Sequence, residues 1–400
     1  MKIHCVWTRN LDVPYSAGRL KIARGIRASL NESGHQPVHH VLNTLLDRKN
    51  PIEVSRAVLN GIRQRLPVQS WLFDTAANRA LAETIPGDTD VVYLDGIRTI
   101  HILEKLRERL PGARLVVDFD DLMSRRTEAL MEVGEGLSAG YLTEMMPRWG
   151  RRWAQTSSTG LRYERGALRR WEMRVCELAD EVVLLSPVEA EILNSRLPRS
   201  ARATIRVVPP PQDTVRGPQT LKPPLRFVFI GMDTLTQNRL AIEYLLELWK
   251  KLSPETPLHI FGRMSRDWPA VPNVLFRGYA ANLTEVYDQH SVLLSPVLLL
   301  GGIKTKVLEA FAWGTPVVGN EYTFEGMPLP NYPLEGALEQ VVMEIQSDTR
   351  LSQLNAAARM GNEYVRRHHD PGAISAAWRG LVAGLELYPA SQETLRTQSA

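Results

Sequence analysis

The chain has 400 residues, 44% of them hydrophobic and 23% charged, with a formal net charge of +4. That length exceeds one ordinary hydrophobic core, so two domains are expected, and no run approaches the roughly 20 apolar residues of a membrane span. Its only two cysteines, Cys5 and Cys176, exclude a disulfide scaffold or a cysteine-rich metal site and fit a reducing compartment.

The first predicted strand is Lys2–Thr8. Its apolar run is short and Arg9 follows at once, so it reads as a buried strand and not as a secretory leader. A helix is predicted over Ala17–Glu32, a strand over Asp90–Gly96, a helix over Ile100–Leu110 and a strand over Arg114–Asp120. Further strands are expected at Glu181–Ser186 and Ile205–Pro209. A second set follows: strands at Leu225–Gly231, Pro257–Gly262, Val274–Gly278, Ser291–Ser295 and Pro316–Gly319, with helices at Asn238–Leu252 and Lys306–Trp313. Continuous apolar strands alternating with helices indicate parallel sheets covered on both faces, an α/β class.

Pro209-Pro210-Pro211 through Pro223-Pro224 marks the junction, because consecutive prolines neither continue a helix nor pair in a central strand. The expected division is 1–212, then 213–370, then a helix over 371–388 that crosses back to the first domain, then a frayed tail over 389–400. Ligands of such sheets sit at the carboxyl ends of the strands, so two facing halves imply a cleft between them.

The most informative stretch is Gly301-Gly302-Ile303-Lys304-Thr305-Lys306-Val307-Leu308-Glu309-Ala310-Phe311-Ala312-Trp313-Gly314-Thr315-Pro316-Val317-Val318. A strand ends at a glycine pair, a helix starts near Thr305, and Gly314-Thr315-Pro316 stops it. A glycine turn before a helix N-terminus exposes N–H groups and the positive end of the dipole, which suits a phosphate. Lys304 and Lys306 oppose that dipole, so local stability would not select them, whereas an anionic ligand would. Glu309, one turn in, is placed to accept from a ribose hydroxyl. The competing reading is an exposed helix cap with ordinary surface lysines.

This stretch resembles the donor-binding segment of GT-B fold glycosyltransferases, in the large retaining family (glycosyltransferase group 1, family 4-like) marked by two glutamates separated by seven residues. Gly302-Ile303-Lys304-Thr305-Lys306-Val307-Leu308-Glu309 is nearest the exopolysaccharide-associated subset that reads Gly-x-Lys-x-Lys-x-Leu-Glu. The first glutamate of the pair would fall at Gly301, so only Glu309 remains. The resemblance implies two facing Rossmann-like domains, an acceptor-side one and a nucleotide-sugar donor one. It further implies transfer of a sugar from a nucleoside-diphosphate sugar to a hydroxyl of a glycan or lipid-linked acceptor, with retention, in polysaccharide or glycoconjugate biosynthesis. It implies no cofactor and no metal, because lysine, arginine and the helix dipole neutralise the leaving diphosphate.

By the same resemblance, Gly231 opens the donor domain's glycine loop ahead of Asn238-Arg239, and Arg263 follows a strand whose end approaches the nucleobase. Glu325 lies in the loop after the last donor-domain strand. In the first domain Tyr15-Ser16-Ala17-Gly18-Arg19 corresponds to a small-residue loop, with Gly18 and Arg19 at the acceptor or phosphate side. Asp120, in Asp118-Phe119-Asp120-Asp121, occupies the place where several relatives carry a histidine facing the donor sugar, and is the catalytic candidate. Carboxylates crowded at a strand end repel one another, so stability alone seldom places them together. In the competing reading Asp121 caps the next helix and Asp118 pairs with an arginine.

Residues 147–174 carry eight arginines against two glutamates, interleaved with Trp149, Trp153, Tyr163 and Trp171. Such a mixture suits an anionic membrane interface, so a cytoplasmic protein at the inner face of the membrane is expected, with no nucleic-acid partner. Against this, Leu161, Leu168, Val175 and Leu178 recur as one buried helix face. His39-His40 and His368-His369 lack metal-site spacing and read as surface residues. Two other functions stay open. One is a sugar-nucleotide epimerase of the same fold, which would need a self-contained set of histidines and carboxylates. The other is a non-catalytic glycan- or partner-binding relative, suggested by Gly301.

Overall fold

The computed structural model describes residues 1–13, 18–45, 50–136, 158–212, 215–334 and 338–384. The chain forms two units, Met1–Pro209 with Ser375–Ala400, and Pro210–Ile374. In the first, a six-stranded sheet comprises β1 (Ile3–Trp7), β2 (Val38–Val41), β3 (Val91–Asp95), β4 (Arg114–Asp120), β5 (Glu181–Leu184) and β6 (Thr204–Val207). The order is β2-β1-β3-β4-β5-β6 and every pairing is parallel. Strands β1, β3 and β5 are buried throughout, as strands covered on both faces must be.

The helices of this unit are α1 (Gly18–Asn31), α2 (Pro51–Gln64), α3 (Val68–Trp71), α4 (Ala76–Thr84), α5 (Ile100–Arg109), α6 (Met123–Glu132), α7 (Ser158–Leu178) and α8 (Pro187–Arg196). Three of them start on side-chain caps: Asn50 before Pro51, Thr75 before Ala76, and Ser186 before Pro187 accept from the first-turn amides. Helices α3 and α6 lack a side-chain cap of their own. Helix α7 supplies both. Its buried Glu164 accepts from Val68 N at 2.5 Å, and its buried Glu172 accepts from Ser124 N at 2.8 Å.

The inward face of α7 buries Leu161, Leu168, Trp171 and Val175, as the buried-helix reading of this stretch expects. The Tyr163 hydroxyl donates to the Gly61 and Leu66 carbonyls, and the Trp171 indole donates to the Arg65 carbonyl. These aromatic residues are occupied internally. Trp149 and Trp153, the loop Tyr15–Ala17, and the tail from 389 lie outside the described residues. No described helix is long and apolar enough to cross a membrane.

Strand β2 had no counterpart in the sequence pattern, because two histidines interrupt its apolar alternation and it is an edge strand. Those histidines are not plain surface groups. His40 stacks on His4 with their ring nitrogens 2.9 Å apart, and His39 accepts from the Trp7 indole. His369 is fully buried, its Nδ1 bonded to the Pro210 carbonyl at 2.7 Å.

The second unit holds a five-stranded parallel sheet of β7 (Arg226–Ile230), β8 (Leu258–Phe261), β9 (Val274–Gly278), β10 (Ser291–Leu294) and β11 (Val317–Val318), in the order β11-β10-β7-β8-β9. Its helices are α9 (Thr236–Leu252), α10 (Thr305–Ala312), α11 (Leu338–Glu344) and α12 (Asp348–His368). A last helix, α13 (Pro371–Ala383), joins the first unit from Ser375 on, where Trp378 stands edge-on to Tyr93 with centroids 5.8 Å apart.

The strand orders fix where each unit is open. In the second unit the chain runs β7, β8, β9 to one side and then returns to lay β10 on the other side of β7. In the first it runs β1 to β2 and then lays β3 on the far side of β1. Between β7 and β10, and between β1 and β3, the connections leave in opposite directions. Such switch points, at the carboxyl ends of parallel strands, are where doubly wound sheets bind ligands.

Candidate functional site

At the switch point of the second unit, the end of β7 and the start of α9 meet the turn between β10 and α10. Gly301 and Gly302 have φ of 127° and 63°, backbone values that favour glycine. The place of the missing first glutamate is therefore a position whose backbone disfavours any side chain. The Lys304 ammonium folds back over that turn, donating to the Gly301 carbonyl at 2.8 Å and the Gly302 carbonyl at 2.7 Å. It cross-braces the loop that opens α10.

Lys306 sits within the first turn of α10. Its Nζ donates to Asn238 Oδ1 at 2.7 Å and lies 4.3 Å from the centre of the Phe229 ring. Burial, and then the positive charge of Lys304, push the Lys306 pKa down to about 7. Among the described residues no carboxylate forms an ion pair with it. A desolvated ammonium at a helix N-terminus is a receptor for an anion. One turn further on, Glu309 accepts from the Tyr287 hydroxyl at 3.0 Å.

Along the same carboxyl edge, Arg263 follows β8 and is exposed, its guanidinium 5.1 Å from the centre of the Tyr279 ring. Glu325 lies half-buried in the loop after β11. Thr323 ties that loop to the end of β10 by donating to the Ser295 carbonyl. Gly231 follows β7, and a Cβ added to it would collide with Asn238. Arg239 is turned to Glu243 at 3.1 Å. The sheet thus aligns Gly231, Arg263, Gly302, Lys304, Lys306, Glu309 and Glu325 on one edge of one unit. Asn238 and Tyr287 are the additions. Asn238 was visible in the sequence only as part of a helix start, and Tyr287 carried no signal, being 22 residues from the glutamate it serves.

At the first unit's switch point stands a second, carboxylate-rich cluster. Arg19, from the first turn of α1, donates to Asp118, to Asp95 at 3.1 Å and to Asp120 at 3.2 Å. Asp95 also accepts from Thr8 N, Thr8 Oγ1 and Arg9 Nε, while the Tyr93 hydroxyl donates to Asp118 at 2.8 Å. Arg19 is therefore neither a solvating surface arginine nor a side chain held out for phosphate. Its charge is committed to three carboxylates of its own unit. Asp118 takes the arginine partner of the competing reading, but Asp121 pairs with Arg126 at 3.2 Å and does not cap α6.

Asp120 differs from its neighbours. Its φ is 66° and the pairing of β4 with β5 shifts register between Asp118 and Asp120, so a bulge at Phe119 precedes it while Asp120 itself still pairs with Leu184. Its side chain keeps 27% exposure, against 1% for Asp95 and none for Asp118. Burial raises its pKa to about 6, with repulsion from Asp121 adding and Arg19 opposing. Asp95 is held well below the ordinary carboxylate range: burial alone would raise it, but the charges of Arg19 and Arg9 prevail. Gly18 begins α1 with φ of 40°.

Two parallel-sheet α/β units of this kind define the GT-B fold. Residues 224–328, which hold Gly231, Arg263, Lys304, Lys306, Glu309 and Glu325, match the family described as Glycosyl transferases group 1. The chain is similar in structure to sucrose-phosphate synthase from Thermosynechococcus elongatus, with a TM-score of 0.63 at 14% identity, covering 96% of this chain and 100% of that one. It is also similar to HepE from Anabaena solved in complex with UDP and glucose (TM-score 0.54, 12% identity, 96% and 100% covered). The lipopolysaccharide outer core galactosyltransferase WaaB is similar at TM-score 0.54 and 13% identity, with 96% and 99% covered. Among curated proteins none matches in sequence.

Proposed function

We propose that this protein is a glycosyltransferase that binds a nucleoside-diphosphate sugar on its second unit and transfers the sugar to a hydroxyl of a glycan or lipid-linked acceptor. The observation that carries the reading is Lys306. Its ammonium is desolvated, braced by a neutral amide and an aromatic face, and set at the N-terminus of α10 beside the β7–β10 switch point. A buried cation with no carboxylate partner is costly in isolation. A diphosphate arriving there restores the missing charge.

In this reading Lys306 and the α10 amides hold the diphosphate, Lys304 braces the glycine turn beneath it, and Glu309 accepts from the ribose. Arg263 contacts the nucleobase, and Glu325 and Gly302 line the pocket. The match of 224–328 to a glycosyltransferase family, and the fold shared with a protein solved with UDP and glucose, support a nucleotide-sugar donor. Asp120 acts on the acceptor hydroxyl or the sugar hydroxyls, with Arg19 holding it, and Gly18 admits the substrate. Retention, a role in polysaccharide assembly and a place at the inner face of the membrane belong to the same proposal.

Gly301 favours one further reading, a binding protein derived from a transferase, because the family's first glutamate is lacking. Both are tested by incubation with a panel of uridine, guanosine, adenosine and thymidine diphosphate sugars. Release of nucleoside diphosphate dependent on acceptor excludes the binding-only reading. Absence of any nucleotide binding, with Lys306→Ala changing nothing, excludes the transferase.

A further inference from the structure

We propose that Asn238 is the residue that positions Lys306 for the donor diphosphate, and that position 231 is glycine to seat the Asn238 amide. The inference rests on the donor reading above and assigns to Gly231 a role different from admitting phosphate to its backbone.

Asn238 lies in the first turn of α9 and is buried. Its Nδ2 donates to the Met232 carbonyl at 3.1 Å, which leaves Oδ1 to accept from Lys306 Nζ at 2.7 Å. The amide orientation is thus set by its two partners. Met232 belongs to the β7–α9 loop and Lys306 to α10, so one side chain joins both sides of the switch point.

The chemistry favours an amide here. A carboxylate at 238 would neutralise the ammonium that the ligand needs, and an apolar residue would leave Nζ without an acceptor. An amide oxygen orients the lysine and leaves its positive charge for the incoming anion. A lysine side chain is rich in rotamers, and holding it between Asn238 and the Phe229 ring removes that ordering cost before the ligand arrives.

Gly231 completes the arrangement. A Cβ there would stand 2.6 Å from both Cγ and Nδ2 of Asn238 and 2.8 Å from its Oδ1. On the side of β8 the Gly231 carbonyl packs closely on Gly262, where an added Cβ would lie only 2.2 Å from its oxygen. Gly231 has no positive φ, so its requirement for glycine is spatial.

The test is calorimetric titration of the full chain with whichever of uridine, guanosine, adenosine or thymidine diphosphate it binds most tightly. Asn238→Ala is expected to weaken binding roughly tenfold, the loss of one charged hydrogen bond, and Gly231→Ala to do the same by displacing the amide. Two double variants separate positioning from a general structural role. Gly231→Ala added to Asn238→Ala should bind no worse than Asn238→Ala alone, because the colliding amide is gone. Asn238→Ala added to Lys306→Ala should bind no worse than Lys306→Ala alone.

Wild-type affinity in Asn238→Ala overturns the proposal, as does additive loss in the Lys306→Ala background. A further loss from Gly231→Ala in the Asn238→Ala background overturns the assignment of Gly231. If Gly231→Ala does not fold, the Asn238 and Lys306 pair still decides the positioning role. If the wild-type protein binds none of the diphosphates, the donor reading falls, and this inference with it.

Discussion

The buried phenol of Tyr287 donates to Glu309 Oε1 at 3.0 Å, joining the segment before β10 to the first turns of α10. The pairing helps to fix the rotamer of a carboxylate carried on three rotatable carbon–carbon bonds. Tyr287→Phe keeps the ring and removes only the hydroxyl. It is expected to weaken nucleoside-diphosphate binding about tenfold or more, the worth of one hydrogen bond to a charged group. Glu309→Ala should weaken it more. Equal affinity of Tyr287→Phe and the wild type in a titration would remove Tyr287 from the site.

The donor role proposed for Lys306 predicts a pH dependence of binding. Its folded pKa is lowered to about 7, so the free protein carries that charge below neutrality and loses it above. Affinity for a diphosphate should fall as pH rises from 6 toward 9, and Lys306→Met should flatten that profile. Stability runs the other way. Between about 7 and the ordinary lysine value the unfolded chain binds more protons, so stability rises with pH across that window. Lys306→Met should therefore raise the thermal midpoint most at pH 6 and least near pH 10.

Asp120 should govern the rate if it acts on the acceptor hydroxyl. With a pKa of about 6, it is protonated in mild acid, and the rate should climb as pH passes through that value. Asp120→Asn should cost about 10²-fold or more in turnover and remove that limb of the profile. A variant with an unchanged pH–rate curve would exclude the base.

Arg19 is predicted to be structural as much as functional. It answers Asp95, Asp118 and Asp120 together, so Arg19→Ala leaves three carboxylates facing one another and should cost about 3 kcal/mol or more. Chemical denaturation at pH 7.5 measures it. Lowering the pH should restore part of the loss by protonating Asp120 and Asp118, whose pKa values burial already raises.

Glu164 and Glu172 are buried acceptors for the starts of α3 and α6, and burial raises each pKa to about 7. A raised carboxyl pKa means the folded state binds more protons than the unfolded one between about 4.5 and 7. Their contribution is complete below that window and is lost as pH rises through 7. Glu164→Gln with Glu172→Gln keeps an acceptor oxygen at each helix and should flatten the thermal midpoint between pH 5 and 8. A double variant with the wild-type slope would show that other groups set it.

Much of this was legible in the sequence. The alternation of apolar strands and helices gave the α/β class, since a strand buried on both faces must be apolar throughout. The stretch from Gly301 to Val318 gave its helix and turn, since glycine, lysine and proline act locally on the backbone. What the sequence could not give are the partners. Lys306 meets Asn238, 68 residues away, only because β10 is laid beside β7. Arg19 meets Asp118 and Asp120 only because α1 returns its first turn to the end of β4. Local chemistry chose the residue types at each strand end. The strand order, set by packing over the whole sheet, decided which of them came within hydrogen-bonding distance, and so which charges pair with one another.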